Sequence, residues 1–143
     1  DDGFILDGFP RNRNQAQELD KKLTAESRNL DKVVHIDVSE PALLRRLGGR
    51  YICRACQSPH AIGLGEDASA RTCDQCGGEL YQRDDDAPAA VKKRIQVYND
   101  ETMPVLGFYR KRGVLVEIPG DDTIAEVNKQ IMAAVDAPTA RKL

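Results

Sequence analysis

Four cysteines carry the clearest chemistry in the chain. They fall within 24 residues, as Cys53-x2-Cys56 and Cys73-x2-Cys76, with 16 residues between the pairs. A disulfide framework spreads its cysteines over a small secreted fold. Two C-x2-C pairs at this spacing instead supply four thiolates for a tetrahedral zinc ion, each pair closing a tight turn around it. Gly77 and Gly78 follow the second pair, where backbone N–H groups can point at thiolate sulfur. Residues 50–82 otherwise hold few side chains of core size. Tyr51, Ile52, Ile62, Leu64, Leu80 and Tyr81 bury too little area to offset the entropy of ordering the segment, which argues for a metal. Four thiolates fill the coordination shell, so the metal is expected to be structural and not catalytic. His60 could compete as a ligand, but with the shell full it reads as a loop residue.

The second chemical signal is a set of arginines at junctions. Asp7-Gly8-Phe9-Pro10-Arg11 places an aspartate at the carboxyl end of an apolar run and an arginine just beyond a turn, the edge at which open α/β sheets bind ligands. Arg46 and Arg50 precede the cysteine segment, and Arg83 follows it, directly before Asp84-Asp85-Asp86. Arg94 lies 11 residues after Arg83, about three helical turns along. Five guanidinium groups at such rims suit a ligand with several phosphates, because each can bind phosphate in bidentate fashion and stays charged.

The elements that must position these groups alternate. Gly3-Phe4-Ile5-Leu6-Asp7 reads as a short strand, residues 12–27 as a polar helix with Ala16, Leu19 and Leu23 on one face, and Val33–Val38 as a buried strand. Ser39 caps a helix with Glu40 and Pro41 in its first turn and Leu43, Leu44 and Leu47 facing inward. After the cysteines, a helix opens near Asp86 and Pro88 and runs toward Met103, Pro104 interrupts it, and a second piece carries Leu106, Phe108 and Tyr109. Val114–Ile118 is a strand, and Thr123-x-x-Glu126 is a capping box before Ile124, Val127, Ile131 and Val135 at helical spacing. Residues 136–143 read as a frayed tail. The alternation predicts an α/β fold with a parallel sheet. Its core is expected over residues 1–49 and 83–143, with residues 50–82 as a zinc-binding, lid-like insert.

Composition narrows the function classes. Of 143 residues, 21 are basic and 23 acidic, a net charge of −2 that argues against a duplex nucleic-acid binder. Apolar residues make up 41% and charged residues 31%, which argues against disorder. No apolar run has membrane-spanning length. With no visible signal peptide and paired reduced cysteines, a cytoplasmic protein is expected.

Asp7-Gly8-Phe9-Pro10-Arg11 with Gln15 four residues on resembles the nucleoside-monophosphate-binding signature of adenylate kinases. Arg46-x3-Arg50, the four-cysteine insert, the run Gly78–Arg83, Asp85-Asp86 and Arg94 follow in the family's order, so the resemblance covers residues 3–135. It is to the long, zinc-bearing bacterial type, and implies a P-loop NTPase-like core and the reaction ATP + AMP = 2 ADP. It implies that Gly8, Phe9, Pro10 and Arg11 line the AMP site, with Arg11 on the phosphate and Gln15 reading the adenine. Arg46 would pack on the ATP adenine and Arg50 would hold ATP phosphates. Arg83 and Arg94 would clamp the phosphates between which transfer occurs, and Asp7 would orient the shell of Mg2+ through water. Asp85 and Asp86 would make hinge and arginine contacts, the carbonyl near Asp122 would touch the ATP base, and Ser58, Pro59 and His60 fall where lid contacts to ATP are expected. Substrates would be ATP and AMP or ADP, and the parent enzyme a monomer.

One family element is absent from these 143 residues: no segment reads G-x4-G-K-[ST]. In the resembling fold the strand that carries it lies between those matching residues 3–7 and 33–38, and it supplies the lysine and amides that hold ATP. The core is therefore expected to be incomplete. The chain alone is expected to be inactive and to need that amino-terminal segment. Two other readings stand beside this one: a kinase for another nucleoside monophosphate, against which Gln15 argues, and a zinc-bearing interaction module without catalysis, against which the arginines argue.

Overall fold

A computed structural model describes residues 3–63 and 66–138. Leu64, one of the apolar side chains of the cysteine segment, and residues 139–143 of the expected tail lie outside them. The chain divides into two compact units. One combines the described residues up to Asp37 with those from Gln96 onward; the other is Val38–Ile95.

In the first unit, helix α1 (Arg13–Ala25) starts where the Asn12 side chain accepts a hydrogen bond from Gln15 N at 2.9 Å. Ala16 and Leu23 are buried and Leu19 half-buried, the three- and four-residue spacing that turns one helix face inward. Strands β1 (Val33–Asp37) and β5 (Leu115–Pro119) pair in parallel, in register from Val33 opposite Leu115 to Asp37 opposite Pro119. Helix α4 (Met103–Lys111) brings Val105 and Tyr109 onto Ala16, and Leu30, Val33, Phe108, Val114 and Leu115 close round this core. Helix α5 (Ile124–Asp136) begins at Thr123, whose hydroxyl accepts from Glu126 N at 3.3 Å, as the capping box predicts.

Three local expectations change. Gly3–Asp7 is not a strand: a strand needs a neighbour's N–H and C=O groups, and among the described residues none pairs with it. Ile5 is 95% exposed, and Phe4 lies under the Arg28 guanidinium, 4.9 Å from its ring centroid. Strand β1 is not buried throughout, since of its five residues only His35 is sequestered and Ile36 is exposed. Pro104 does not break the helix. After helix α3 (Pro88–Val97) a wide π-type turn, Tyr98–Thr102, lets α4 begin afresh, so Pro104 sits in a first turn where its missing N–H costs nothing. The apolar stripe of α5 is only partly covered: Val127 and Ile131 are half-buried and Ile124 is exposed.

In the second unit, helix α2 (Glu40–Gly48) has Ser39 at its cap position, but the capping contact is the Ser39 carbonyl accepting from Leu43 N at 2.9 Å, not its side chain. Strands β2 (Arg50–Cys53), β3 (Pro59–Ala61) and β4 (Leu80–Tyr81) form an antiparallel sheet with β2 in the middle. A 3-10 turn, Asp84–Asp86, leads into α3. Gly49 is required where it stands. A Cβ there would lie 2.4 Å from the Ile62 carbonyl oxygen, and Ile62 N donates to Gly49 O at 2.8 Å. Among the described residues no helix is long and apolar enough to cross a membrane.

The first unit is tied across its helices by Asp20 on α1, paired through both carboxylate oxygens with Arg112 just past α4, whose guanidinium also lies 4.3 Å over the Phe108 ring. The hydrogen bond from Arg112 holds the Asp20 carboxyl below its usual range. A depressed carboxylate stabilises the fold above its unfolded pKa, and that contribution is lost as pH falls through the folded value. Because the pair is partly solvated, Asp20→Asn is expected to cost about 0.5–1 kcal/mol in urea unfolding at pH 7. The difference from the parent chain should shrink as the pH is lowered below about 4.

Candidate metal centre and arginine cluster

The two C-x2-C segments fold into the same turn. Cys53 ends β2, and Gln57 N donates to Cys53 O at 3.0 Å while Cys53 N donates to Ser58 O at 3.0 Å. In the second segment Gly77 N donates to Cys73 O at 2.8 Å and Cys73 N to Gly78 O at 2.8 Å. Gln57 and Gly77, each four residues past the first cysteine of its pair, share the left-handed backbone at φ 60° and 71°. That reversal turns both sulfurs of a pair to one side. The turns face each other because β4 and the Thr72–Glu79 bridge bring the second strand pair alongside β2, where Arg54 N donates to Glu79 O at 2.9 Å.

The four sulfurs lie within 4.8 Å of one another, with Cys53 Sγ 3.4 Å from Cys76 Sγ and Cys56 Sγ 3.6 Å from Cys73 Sγ. A tetrahedron with zinc–sulfur bonds of about 2.3 Å has edges of about 3.8 Å, so this donor set fits a single tetrahedral ion. Cys53 and Cys73 are buried, and Cys56 and Cys76 reach the surface. Gly78 leaves room for the sulfurs: a Cβ there would lie 2.9 Å from Cys53 Sγ and 3.3 Å from Cys76 Sγ. The Ser58 hydroxyl, outweighing burial, draws Cys73 down to about 5, and Ser58 lowers Cys56 through both its hydroxyl and its N–H. Cys76 is pulled down by the Gly78 N–H, yet its three cysteine neighbours and burial leave it at about 12. A divalent cation bound by the sulfurs would displace the Cys76 proton.

Two arginines of this unit, Arg50 and Arg94, converge on the Asp86 carboxylate, and Arg83 pairs with Asp85 beside it. Asp86 is fully buried; Arg50 Nε donates to its Oδ2 at 2.8 Å and Arg50 Nη2 to its Oδ1 at 2.6 Å. This fork raises the already high pKa of Arg50. Arg94 Nη1 lies 3.4 Å from Asp86 Oδ1 and donates to the Asp85 carbonyl at 3.2 Å, and Arg83 Nε is 3.4 Å from Asp85 Oδ1. Arg46 is exposed on α2. Gln82 Nε2 donates to Gly48 O at 2.6 Å, joining the strand end to α2.

In the other unit, Gly8 takes the left-handed backbone at φ 65°, the Phe9–Pro10 peptide is cis, and Arg11 folds back so that its Nε donates to Gly8 O at 2.7 Å. Gln15 Oε1 accepts from Arg11 N at 2.7 Å, which fixes the start of α1 against the turn. Asp7 and Asp122 are exposed. The structure thus groups Gly8, Arg11 and Gln15, groups Arg50, Arg83 and Arg94 round Asp85 and Asp86, and groups the four cysteines. Sequence reasoning missed the Ser58 hydroxyl, whose Oγ lies 3.0 Å from Cys56 Sγ and 3.3 Å from Cys73 Sγ. Spacing marks only the position, since Ser58 stands two residues past Cys56 as Gly78 stands two past Cys76; the direction of the hydroxyl is set by the fold.

Comparison with known proteins gives the family. The family model described as adenylate kinase matches residues 1–114. An adenylate kinase of Desulfitobacterium hafniense is 50% identical over 134 residues, covering 94% of this chain and 62% of that protein. Adenylate kinases of Dehalococcoides mccartyi and Methanocella arvoryzae are 47% and 46% identical over 133 residues, each covering 93% of this chain. The chain spans 61% and 62% of their respective lengths. With a family match over most of its residues and the arginine and cysteine groups in place, the chain belongs to the adenylate kinase family.

Proposed function

We propose that this chain supplies the nucleoside-monophosphate site and the metal-bearing lid of an enzyme that moves the γ-phosphoryl group of ATP to AMP. The observation that carries the reading is the gathering of Arg50, Arg83 and Arg94 on Asp85 and Asp86. Phosphoryl transfer asks a protein chiefly to align the reactants and to offset charge on phosphate oxygens, and fixed guanidinium groups do both without a nucleophilic side chain. Asp86 grips the Nε–Nη2 edge of Arg50 and so fixes the plane of the guanidinium, leaving Nη1 to take a phosphate oxygen. Arg83 and Arg94, balanced by Asp85, would clamp the transferring phosphates, and Arg46 would cover the ATP adenine, with the carbonyl near Asp122 on its edge.

Gly8, Phe9, Pro10, Arg11 and Gln15 would form the AMP site. The Gly8 carbonyl on Arg11 Nε aims that guanidinium, which would bind the AMP phosphate. The Gln15 amide has a donor left to read adenine, since its oxygen already accepts from Arg11 N. Asp7 would hold a water of the Mg2+ that accompanies ATP, an ion that draws charge from the phosphate oxygens when bound. Zinc on Cys53, Cys56, Cys73 and Cys76 would be structural, keeping residues 50–82 rigid as a lid that excludes water, while residues 1–49 and 83–143 form the core. Because the 143 residues contain no P-loop motif, the chain by itself is expected to turn over little or no ATP.

The test is a coupled ATP assay on a hybrid in which this chain is joined to the part of the Desulfitobacterium hafniense adenylate kinase that it does not match. AMP is expected to be accepted over GMP, CMP and UMP, and Arg11→Ala to raise KM for AMP by about 10- to 100-fold, the worth of a charged hydrogen bond. A hybrid that prefers another monophosphate overturns the AMP assignment, and near-normal turnover by the chain without its complement overturns the dependence. For the lid, native mass spectrometry of the 143-residue chain is expected to find one zinc ion, lost in Cys73→Ala. Chelation should expose residues 50–82 to protease. Gly78→Ala, whose methyl meets two sulfurs, should bind zinc more weakly than the parent chain.

A further inference from the structure

Ser58 is 8% exposed, and its hydroxyl stands among three partners: Cys56 Sγ at 3.0 Å, Cys73 Sγ at 3.3 Å and His60 Nε2 at 3.1 Å. Metal-bound thiolates only accept hydrogen bonds, so with the metal in place the hydroxyl can give its single proton to sulfur while its oxygen accepts from a protonated His60 Nε2. On the other side of the ring, Asp74 Oδ2 is 3.7 Å from His60 Nδ1, beyond hydrogen-bond reach.

Donors to the four sulfurs are unevenly supplied. Cys53 Sγ accepts from Cys56 N at 3.5 Å, Cys73 Sγ from Gln75 N at 3.4 Å and from the Cys76 N–H, and Cys76 Sγ from the Gly78 N–H. Cys56 Sγ, at the exposed edge, is reached by the Ser58 N–H and hydroxyl. The hydroxyl is also the one polar side-chain group outside the cysteines, among the described residues, that lies between sulfurs of both C-x2-C turns. The matching position of the second turn is Gly78, where a side chain would strike the sulfurs, so only the first turn can carry such a donor.

We propose that Ser58, oriented by His60, is a positioning residue for the metal: its hydroxyl donates to the thiolates of Cys56 and Cys73, draws charge off them and sets how tightly the ion is held. Four thiolates round a divalent ion leave a net charge of about −2, and hydrogen bonds to sulfur are what disperse it. The proposal rests on the reading of the four cysteines as metal ligands, and it turns Ser58 toward the metal and away from nucleotide.

The test uses the 143-residue chain with Co2+ as a spectroscopic probe and Zn2+ affinity measured by competition with a coloured chelator. Ser58→Ala keeps the backbone turn, which the equivalent Gly78 forms without a side chain. It is expected to raise the Zn2+ dissociation constant by about 10- to 100-fold. It should also move the sulfur-to-cobalt charge-transfer band to lower energy, since a thiolate without its donor gives up an electron more readily, while the d–d bands stay tetrahedral. His60→Phe should shift both readouts in the same direction by less. A charge-transfer band left in place by Ser58→Ala overturns the proposal whatever the affinity does, because loss of packing alone weakens binding without altering sulfur electronics. A parent chain that takes up neither ion overturns the metal reading itself, and this proposal with it.

Discussion

A carboxylate with no exposure to water must be paired where it stands, and in the unit Val38–Ile95 that carboxylate is Asp86. Its partner, Arg50, lies 36 residues earlier, at the start of β2, and closes on it with two short hydrogen bonds. The pair therefore clasps the two ends of the cysteine-bearing segment. The cost of leaving either charge alone means that the segment's entry and exit are held together, and the same clasp fixes Arg50 and draws in Arg94. Positioning of Arg50 and Arg94 and closure of the cysteine-bearing segment are consequences of one ion pair.

Within the clasp, order comes from a repeated turn and not from a core. Both C-x2-C turns use the same two backbone hydrogen bonds and the same left-handed residue, so the sulfurs converge although few large apolar side chains are available. Gln57 accepts an unfavourable backbone conformation that Gly77 takes at little cost, and it does so where a ligand set depends on the bend. The difference between the turns is the side chain two residues past each pair, a hydroxyl in one and nothing in the other. The other unit is built differently, round Tyr109, Val105 and Ala16, with ion pairs such as Asp20–Arg112 on its rim.

Much was determined by sequence alone. Residue type and spacing decided which four sulfurs form a set able to hold a metal, because a C-x2-C turn is local and its geometry follows from four consecutive residues. The family signature Asp7–Arg11 and the helix starts at Asn12 and Thr123 were legible for the same reason, each being settled within one turn of chain. What only the tertiary structure decided needs partners distant in sequence. Gly3–Asp7 has strand-like residues but no strand beside it, Pro104 is absorbed by a π-type turn, and Ser39 caps with its carbonyl. That Asp86, and not its neighbours Asp84 or Asp85, is the buried anion of a run of three identical residues could not be read from type or spacing. Nor could the turn of the Ser58 hydroxyl toward sulfur. Both follow from which groups the fold shuts away from water, and burial is a property of the packed chain and not of any residue in it.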